Sequence, residues 1–147
     1  PQNKPTNLFP LLIEAASKSS KSLEIYGNDW PTIDGTCIRD FIHIMDLAEA
    51  HFSSLIYIYQ QKPSFLVLNV GTGNGTTVLE LIRVFERVNK CKISYKFVSR
   101  RKGDNAKSIA DNSLILSKLE WINRRNLEDM CIDGWHWKQI NPNGYKS

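Results

Sequence analysis

The chain has 147 residues, of which 19 are basic and 15 acidic, and its formal net charge is +4. Its apolar fraction of 41% and charged fraction of 23% are typical of a globular domain or of a piece of a larger protein. No apolar run is long enough to cross a bilayer, which excludes a membrane-spanning protein. The cysteines Cys37, Cys91 and Cys131 lie far apart, which argues against a zinc site or disulfide framework and favours the reducing cytoplasm.

Helix and strand signals alternate in the first part of the chain. Residues 1–6 are polar and rich in proline, which predicts a loop. Apolar residues at helical spacing predict a helix from Leu8 to about Ser17, with Asn7 as its N-cap. Residues 23–26 then predict a short strand, and residues 37–44 predict extended chain.

The middle of the chain carries its longest apolar segments. Asp46 and Glu49 have the spacing of a capping box, which predicts a helix that begins after Asp46 and runs to about Tyr59. Its predicted apolar face consists of Ala48, Phe52, Leu55 and Tyr59. Residues 65–70 are apolar almost throughout, which predicts a strand buried on both faces.

The last part of the chain has two clear helix starts. A capping box beginning at Thr77 predicts a helix with a regular apolar stripe. Alternation over residues 93–98 predicts a half-buried strand, and residues 112–119 predict a short helix. A last helix is predicted to begin after Asn126 and to end near residues 141–142. The whole pattern predicts a mixed α/β (α+β) fold.

The glycine-rich segment Gly71–Gly75 lies between a predicted strand and a predicted helix. Its spacing is GxGxG, whereas dinucleotide-binding loops have GxGxxG. No acidic ribose ligand follows at the distance that such loops require. The segment therefore predicts a tight turn with positive φ angles and no NAD site.

The clearest cationic cluster is the segment Arg100–Asp104. A guanidinium binds a phosphate through two parallel hydrogen bonds, and a carboxylate accepts hydrogen bonds from ribose hydroxyls. Taken alone, the segment is better explained as a solvated surface turn. Arg39 carries the same phosphate hypothesis, with pairing to Asp40 as the alternative.

Signatures of catalysis are missing from the sequence. The histidines His43, His51 and His136 have no metal-ligand spacing. No tyrosine is followed four residues later by lysine, the proton-transfer pair of short-chain dehydrogenases; Tyr59 and Lys62 are too close. We therefore predict no catalytic residue in this chain.

Several segments together resemble the C-terminal, substrate-binding half of the UDP-glucose/UDP-galactose 4-epimerase family, which are extended short-chain dehydrogenases/reductases. The similarity is carried, in order, by residues 5–10, 26–51, 69–75, 100–104 and 135–145. The stretch from Tyr26 to His51, YGNDWPTIDGTCIRDFIHIMDLAEAH, is its most specific part. The resemblance covers essentially the whole chain.

The resemblance implies roles for residues around a nucleotide diphosphate. Asn7 and the backbone of Leu8 would contact the pyrophosphate, and Tyr26 would form an aromatic wall beside the uracil. Arg39 and Arg101 would bind the diphosphate from two sides. The two arginines are distant in the sequence, so this role requires the fold to bring them together.

The resemblance also implies the ribose and sugar contacts. Asp104 would hold the ribose, and Ser108 would form part of the wall of the sugar pocket. Because serine is small, the pocket is expected to accept a UDP-N-acetylhexosamine as well as a UDP-hexose. The substrate is thus expected to be a UDP-sugar of galactose metabolism.

The resemblance further implies that most of the NAD-binding Rossmann domain is absent. That preceding half would carry the NAD loop and the Tyr-xxx-Lys pair, so residues 1–147 are expected to form one substrate-binding region that is inactive alone and binds no NAD. Pro1, where a complete chain would begin with Met, agrees with a truncation. Residues 47–59 and 66–70 would then be exposed, which predicts association with the missing half or formation of a homodimer.

Two alternatives remain open at this point. The chain could be half of another sugar-nucleotide epimerase or dehydratase, or a non-enzymatic basic binding module. A nucleic-acid module usually has a wide basic stripe with interleaved aromatic residues. Acidic residues are well mixed with the basic ones here, so no nucleic-acid partner is expected.

Overall fold

The computed structural model describes residues 7–17, 21–61 and 65–144; the loop predicted at residues 1–6 lies outside them. Helices and short strands alternate along the described chain, which confirms the mixed α/β class. In order, the elements are α1 (Leu8–Ser17), β1 (Leu23–Tyr26), β2 (Ile38–Arg39), α2 (Ile44–Gln61), β3 (Thr76–Thr77), α3 (Val78–Asn89), β4 (Tyr95–Val98), β5 (Lys107–Ser108), α4 (Ser113–Leu119) and α5 (Leu127–Ile140).

The strands form two small sheets. In one, β1 and β4 run parallel, with Leu23 opposite Tyr95 and Tyr26 opposite Val98. In the other, β2 lies in the centre, antiparallel to β3 and parallel to β5. Strand β4 is shorter than predicted, and its Tyr95 and Phe97 are both more than 40% exposed.

The main core forms where α3 packs against α1, α5 and β1. The stripe predicted on α3 is the centre of this core, and Leu81, Ile82 and Phe85 are all at most 1% exposed. The ring of Phe85 meets Phe9 of α1 and Trp135 of α5 edge to face, with centroid distances of 6.3 and 5.8 Å. These contacts hold α1 and α5 against α3.

Both helix starts predicted in the last part of the chain are confirmed. Thr77 accepts the backbone N–H of Glu80 at 3.1 Å, and the Glu80 carboxylate accepts that of Thr77, which completes a capping box. Asn126 and Asp129 form the same reciprocal pair at the start of α5. Both helices are fixed by local sequence because their caps satisfy N–H groups that the helix itself leaves without partners.

The predicted start of α2 was wrong. The helix begins at Ile44, and His43 caps it: the carbonyl of His43 accepts the N–H of Leu47, and its Nδ1 accepts that of Met45. Asp46 lies inside the first turn and is fully buried. Its carboxylate binds Arg125, so a long-range ion pair takes up the side chain that we had interpreted as a cap. Residues 37–44 are correspondingly extended only in part, with strand β2 limited to two residues.

The strand predicted at residues 65–70 is absent from the described structure, where this segment has no regular secondary structure. Phe65 and Val67 are 83% and 64% exposed, whereas Leu68 and Val70 pack on a small cluster around Trp121. A strand requires hydrogen bonds from a neighbouring strand, and none of the described strands pairs with this segment.

The apolar face predicted for α2 is exposed. Phe52 and Leu55 are more than 60% exposed, and Tyr59 is 82% exposed. We call these exposed side chains of α2, taken together with residues 65–70, the α2 face. None of the helices in the described ranges is long and apolar enough to cross a membrane.

Candidate functional site

Three charged side chains from two distant parts of the sequence meet at one point. Nη2 of Arg101 lies 3.0 Å from Oδ1 of Asp104, and Nη2 of Arg39 lies 4.0 Å from the same oxygen. The fold therefore brings the two arginines together, as the phosphate hypothesis required.

The guanidinium of Arg39 is held by backbone carbonyls. Its Nη1 donates to the carbonyl oxygens of Ile38 at 2.8 Å and Asn105 at 2.9 Å. The alternative pairing of Arg39 with Asp40 is wrong, because Asp40 accepts its hydrogen bonds elsewhere. The carbonyl contacts occupy Nη1, and Nη2 is the nitrogen that faces Asp104.

Arg101 and Asp104 form a turn that follows β4. The N–H of Asp104 donates to the carbonyl of Arg101, and Gly103 provides the positive φ of 90° that the turn requires. The Arg101 guanidinium lies 5.3 Å from the ring centroid of Tyr26. Hydrogen bonding to Asp104 raises the pKa of Arg101, so its charge is secure. A row of side chains thus runs from Tyr26 through Arg101 and Asp104 to Arg39.

This row borders a cleft of about 110 Å³ between α1 and β1. Leu8 and Leu11 of α1, together with Ile25, Tyr26, Cys37 and Val78, give it an apolar floor beside the charged groups. It continues into a wider groove of about 360 Å³ along the same helix and strand. Asn7 is exposed at the start of α1, where its carbonyl accepts the N–H of Leu11.

Strand β1 presents a backbone edge to the cleft. The N–H groups of Leu23 and Gly27 donate to carbonyls of Ser94 and Val98 on the β4 side. Because successive residues of a strand direct their backbone groups to opposite edges, those of Glu24 and Tyr26 face the other way. The Tyr26 carbonyl there accepts a hydrogen bond from Nε1 of Trp30. A planar ring with both donors and acceptors fits such an edge.

Ser108 lies on the other side of Arg39. It is the partner of Arg39 in the parallel pairing of β2 with β5. Both residues line a further groove of about 370 Å³, which also includes Asp40 and Asn69. Arg39 therefore stands between the cleft and this groove.

The glycine-rich segment is a turn that binds an anion from its own chain. The backbone N–H groups of Thr72 and Gly73 donate to the two carboxylate oxygens of Asp40, each at 3.0 Å. Gly73 has a φ of +73°, as the turn interpretation requires. Sequence reasoning did not identify Asp40 as the partner of this turn, because nothing in the spacing links residue 40 to residue 72.

The other reactive side chains have structural roles. Nε2 of His43 lies 3.2 Å from Asp133, and burial raises the pKa of Cys131 to about 12. Cys37 is 7% exposed. Within residues 7–17, 21–61 and 65–144, no three histidine, cysteine or acidic side chains are placed to hold a metal ion.

Comparison with known proteins identifies the class to which this arrangement belongs. The model of the NAD dependent epimerase/dehydratase family matches residues 1–71. The UDP-glucose 4-epimerase of Dictyostelium discoideum is 44% identical over 145 residues, which is 99% of this chain and 42% of that enzyme.

Solved structures agree. The UDP-glucose 4-epimerase of Stenotrophomonas maltophila, with NAD and formylated UDP-arabinopyranose bound, superposes with a TM-score of 0.90 at 42% identity, covering 95% of this chain and 41% of the other. That of Bifidobacterium longum, in complex with NAD+ and UDP, gives 0.91 at 37% identity, covering 99% and 43%.

The chain is thus similar to members of the NAD dependent epimerase/dehydratase family, whose model matches its first 71 residues, and its fold matches part of the UDP-glucose 4-epimerases, which are extended short-chain dehydrogenases/reductases. UDP-glucose 4-epimerases are among its homologues, and it corresponds to their C-terminal portion. The chain spans about 42% of the length of the curated relatives it matches.

Proposed function

We propose that residues 1–147 form the UDP-sugar-binding region of a UDP-glucose 4-epimerase, an isomerase of galactose metabolism that works in the cytoplasm. The observation that carries the proposal is the meeting of Arg39 and Arg101 at Asp104, at the edge of a cleft with an apolar floor. Such a site matches a ligand with a planar base at one end and a diphosphate at the other.

The diphosphate is assigned to the two arginines and the start of α1. Each guanidinium supplies a fork of N–H donors that fits phosphate oxygens. The backbone around Asn7 and Leu8 begins a ten-residue helix, whose positive end favours an anion. In this assignment the phosphate oxygens accept hydrogen bonds from the Nη2 groups of the two arginines, which face Asp104 in the structure.

Base and ribose are assigned to the other end of the row. The backbone edge of β1 offers N–H and C=O groups to the uracil, and the ring of Tyr26 lies beside it. Asp104 carries a carboxylate that accepts hydrogen bonds from the two ribose hydroxyls. Its position next to both arginines fits a ribose that joins the base to the diphosphate.

The sugar is assigned to the groove beyond Arg39, which leads to a prediction about Ser108. The serine leaves space that a larger side chain would fill, so we expect a UDP-N-acetylhexosamine to bind within about threefold of the matching UDP-hexose, because no steric penalty is incurred. Competition against labelled UDP measures both affinities, and Ser108→Tyr should discriminate against the acetamido sugar. Strong rejection of that sugar by the unmodified chain would overturn this part.

We assign NAD to the remainder of the complete enzyme, where it would supply the redox chemistry. The described residues do not fit it: the only glycine-rich turn among them already has the carboxylate of Asp40 on its amides. The residues of this chain therefore bind and orient the sugar nucleotide, and we expect the chain alone to be inactive.

The α2 face is assigned to contact with the NAD-binding half. It joins exposed apolar side chains of α2 to residues 65–70, which have the composition of a strand without a partner. In the absence of that half we expect the chain to form a homodimer through the same face, because exposed apolar patches of this kind favour association.

One experiment tests the proposed function. The chain is mixed with a separately made NAD-binding half of a homologous UDP-glucose 4-epimerase, and conversion of UDP-galactose is followed. We expect activity only in the mixture, and sedimentation should show the homodimer replaced by a mixed complex. Wild-type chain that binds neither UDP nor the other half would contradict the proposal, and affinity for any polyanion that falls steeply with salt would favour the basic binding module instead.

A further inference from the structure

The carboxylate of Asp40 accepts four hydrogen bonds. Its Oδ1 accepts the backbone N–H of Thr72 at 3.0 Å and the hydroxyl of the same residue at 2.6 Å. Its Oδ2 accepts the N–H groups of Gly73 at 3.0 Å and Ala110 at 3.3 Å. An ionised carboxylate has about four lone-pair sites, so these donors use its full capacity.

The four bonds join three segments that border the candidate site. Asp40 directly follows β2, Thr72 and Gly73 belong to the glycine-rich turn, and Ala110 follows β5. The backbone N–H of Asp40 also donates to the carbonyl of Ser108 at 3.1 Å. The segments pack so closely that a Cβ on Gly71 would lie 2.6 Å from Oδ2 of Asp40.

This junction fixes the backbone that carries the proposed ligand contacts. Arg39 precedes Asp40 in the chain, and Ser108 is its partner in the strand pairing. Strand β2 has only two residues, so its own ladder hydrogen bonds constrain its position weakly. The hydrogen bonds of Asp40 further restrict the position of the backbone at the end of β2, next to Arg39.

We propose that Asp40 is a positioning residue for binding of the diphosphate: by anchoring the end of β2 to the glycine-rich turn and to the segment after β5, it holds the Arg39 guanidinium beside Asp104. The inference rests on the proposed function, since it concerns the same site. In this scheme Asp40 touches no atom of UDP and acts on its binding through the backbone alone.

The test compares UDP with uridine, which lacks the diphosphate. Asp40→Asn keeps the shape of the side chain but replaces one acceptor oxygen with an NH₂ group that faces N–H donors. We expect the Kd for UDP to rise roughly tenfold, because displacement of Arg39 weakens its charged hydrogen bond to the diphosphate. The Kd for uridine should stay within about twofold, since Tyr26 and Asp104 lie outside the anchored segments. Titration calorimetry with UDP and with uridine gives the Kd of each ligand for the variant and for the wild type, and hence the two fold-changes to be compared.

Asp111→Asn is the matched control. Asp111 is exposed in the segment after β5, and among the described contacts its carboxylate accepts hydrogen bonds only from Ser113, so Asp111→Asn should leave both Kd values unchanged. Equal weakening of UDP and uridine by Asp40→Asn would show a merely structural role and overturn the proposal, as would no change. If that variant does not fold, Thr72→Ala removes one of the four bonds and should weaken UDP alone by roughly threefold. Wild-type chain that binds neither ligand would instead contradict the proposed function.

Discussion

Replacement of Asp46 with Ala is expected to lower the free energy of unfolding by about 3 kcal/mol. The carboxylate is fully buried and accepts the backbone N–H of Arg125 at 3.0 Å and its Nη1 at 2.6 Å. Removal of the carboxylate leaves the backbone N–H of Arg125 without its acceptor, leaves Nη1 with only the contact to Glu49, and opens a cavity at the start of α2. Urea unfolding followed by tryptophan fluorescence measures the change.

The matched control is Glu49→Gln. Glu49 also accepts from Nη1 of Arg125, at 3.0 Å, but it is partly exposed, so water replaces the lost contact and the cost should stay below about 1 kcal/mol. Similar destabilisation by Asp46→Ala and Glu49→Gln would show that burial of Asp46 adds nothing to the free energy of unfolding.

The contribution of Asp46 should also depend on pH. Burial raises its pKa, but the hydrogen bonds from Arg125 outweigh burial, and the pKa lies below the usual value for aspartate. A carboxylate whose pKa is lower in the folded than in the unfolded protein contributes its full stabilisation at pH values above the unfolded-state pKa, which is about 3.9 for aspartate. This stabilisation is lost as the pH falls through the folded-state pKa. The difference in stability between wild type and Asp46→Asn should therefore shrink below about pH 4. A constant difference down to pH 2.5 or so would contradict this reasoning.

Replacement of Arg101 with Ala is expected to weaken UDP binding by roughly 1.5–3 kcal/mol, since hydrogen bonds to charged groups have this magnitude. The variant should fold normally, because more than half of the Arg101 side chain is exposed. Calorimetric titration of UDP gives the change, with thermal unfolding as the check on stability.

Arg100→Ala provides the control for Arg101→Ala. Arg100 is the preceding residue and carries the same charge, but it stacks on Trp30 and binds Asp29. The substitution Arg100→Ala should therefore leave the affinity for UDP nearly unchanged, although it removes one positive charge. Equal losses in the two variants would show that general charge, and not the contact made by Arg101, attracts the ligand.

The sequence predicted elements best where local chemistry alone determines them. The capping boxes at Thr77 and Asn126 satisfy helix N–H groups within four residues, so the starts of α3 and α5 were predicted correctly. The prediction that Asp46 caps α2 was wrong because its true partner, Arg125, lies far away in the sequence. A capping pattern and a buried ion pair require the same residue type, and spacing does not distinguish them.

The exposed face of α2 and residues 65–70 show a different limit. Apolar composition correctly indicates segments that are suited to burial, but it does not say whether the covering surface belongs to the chain. The convergence of Arg39 on Arg101 was likewise available only through the family resemblance, because spacing does not reveal which loops meet. The sequence suggested Asp40 only as an alternative partner for Arg39, and its role at the glycine-rich turn could not be predicted from spacing.

The single carboxylate shared by Arg39 and Arg101 has a kinetic consequence. Two guanidinium groups and one carboxylate give this trio a net charge of only +1, so a distant polyphosphate experiences a weak field. The association rate should then change little with ionic strength, and selectivity should appear in the dissociation rate, which depends on contacts made after arrival. Discrimination between nucleotides would thus be expressed as residence time.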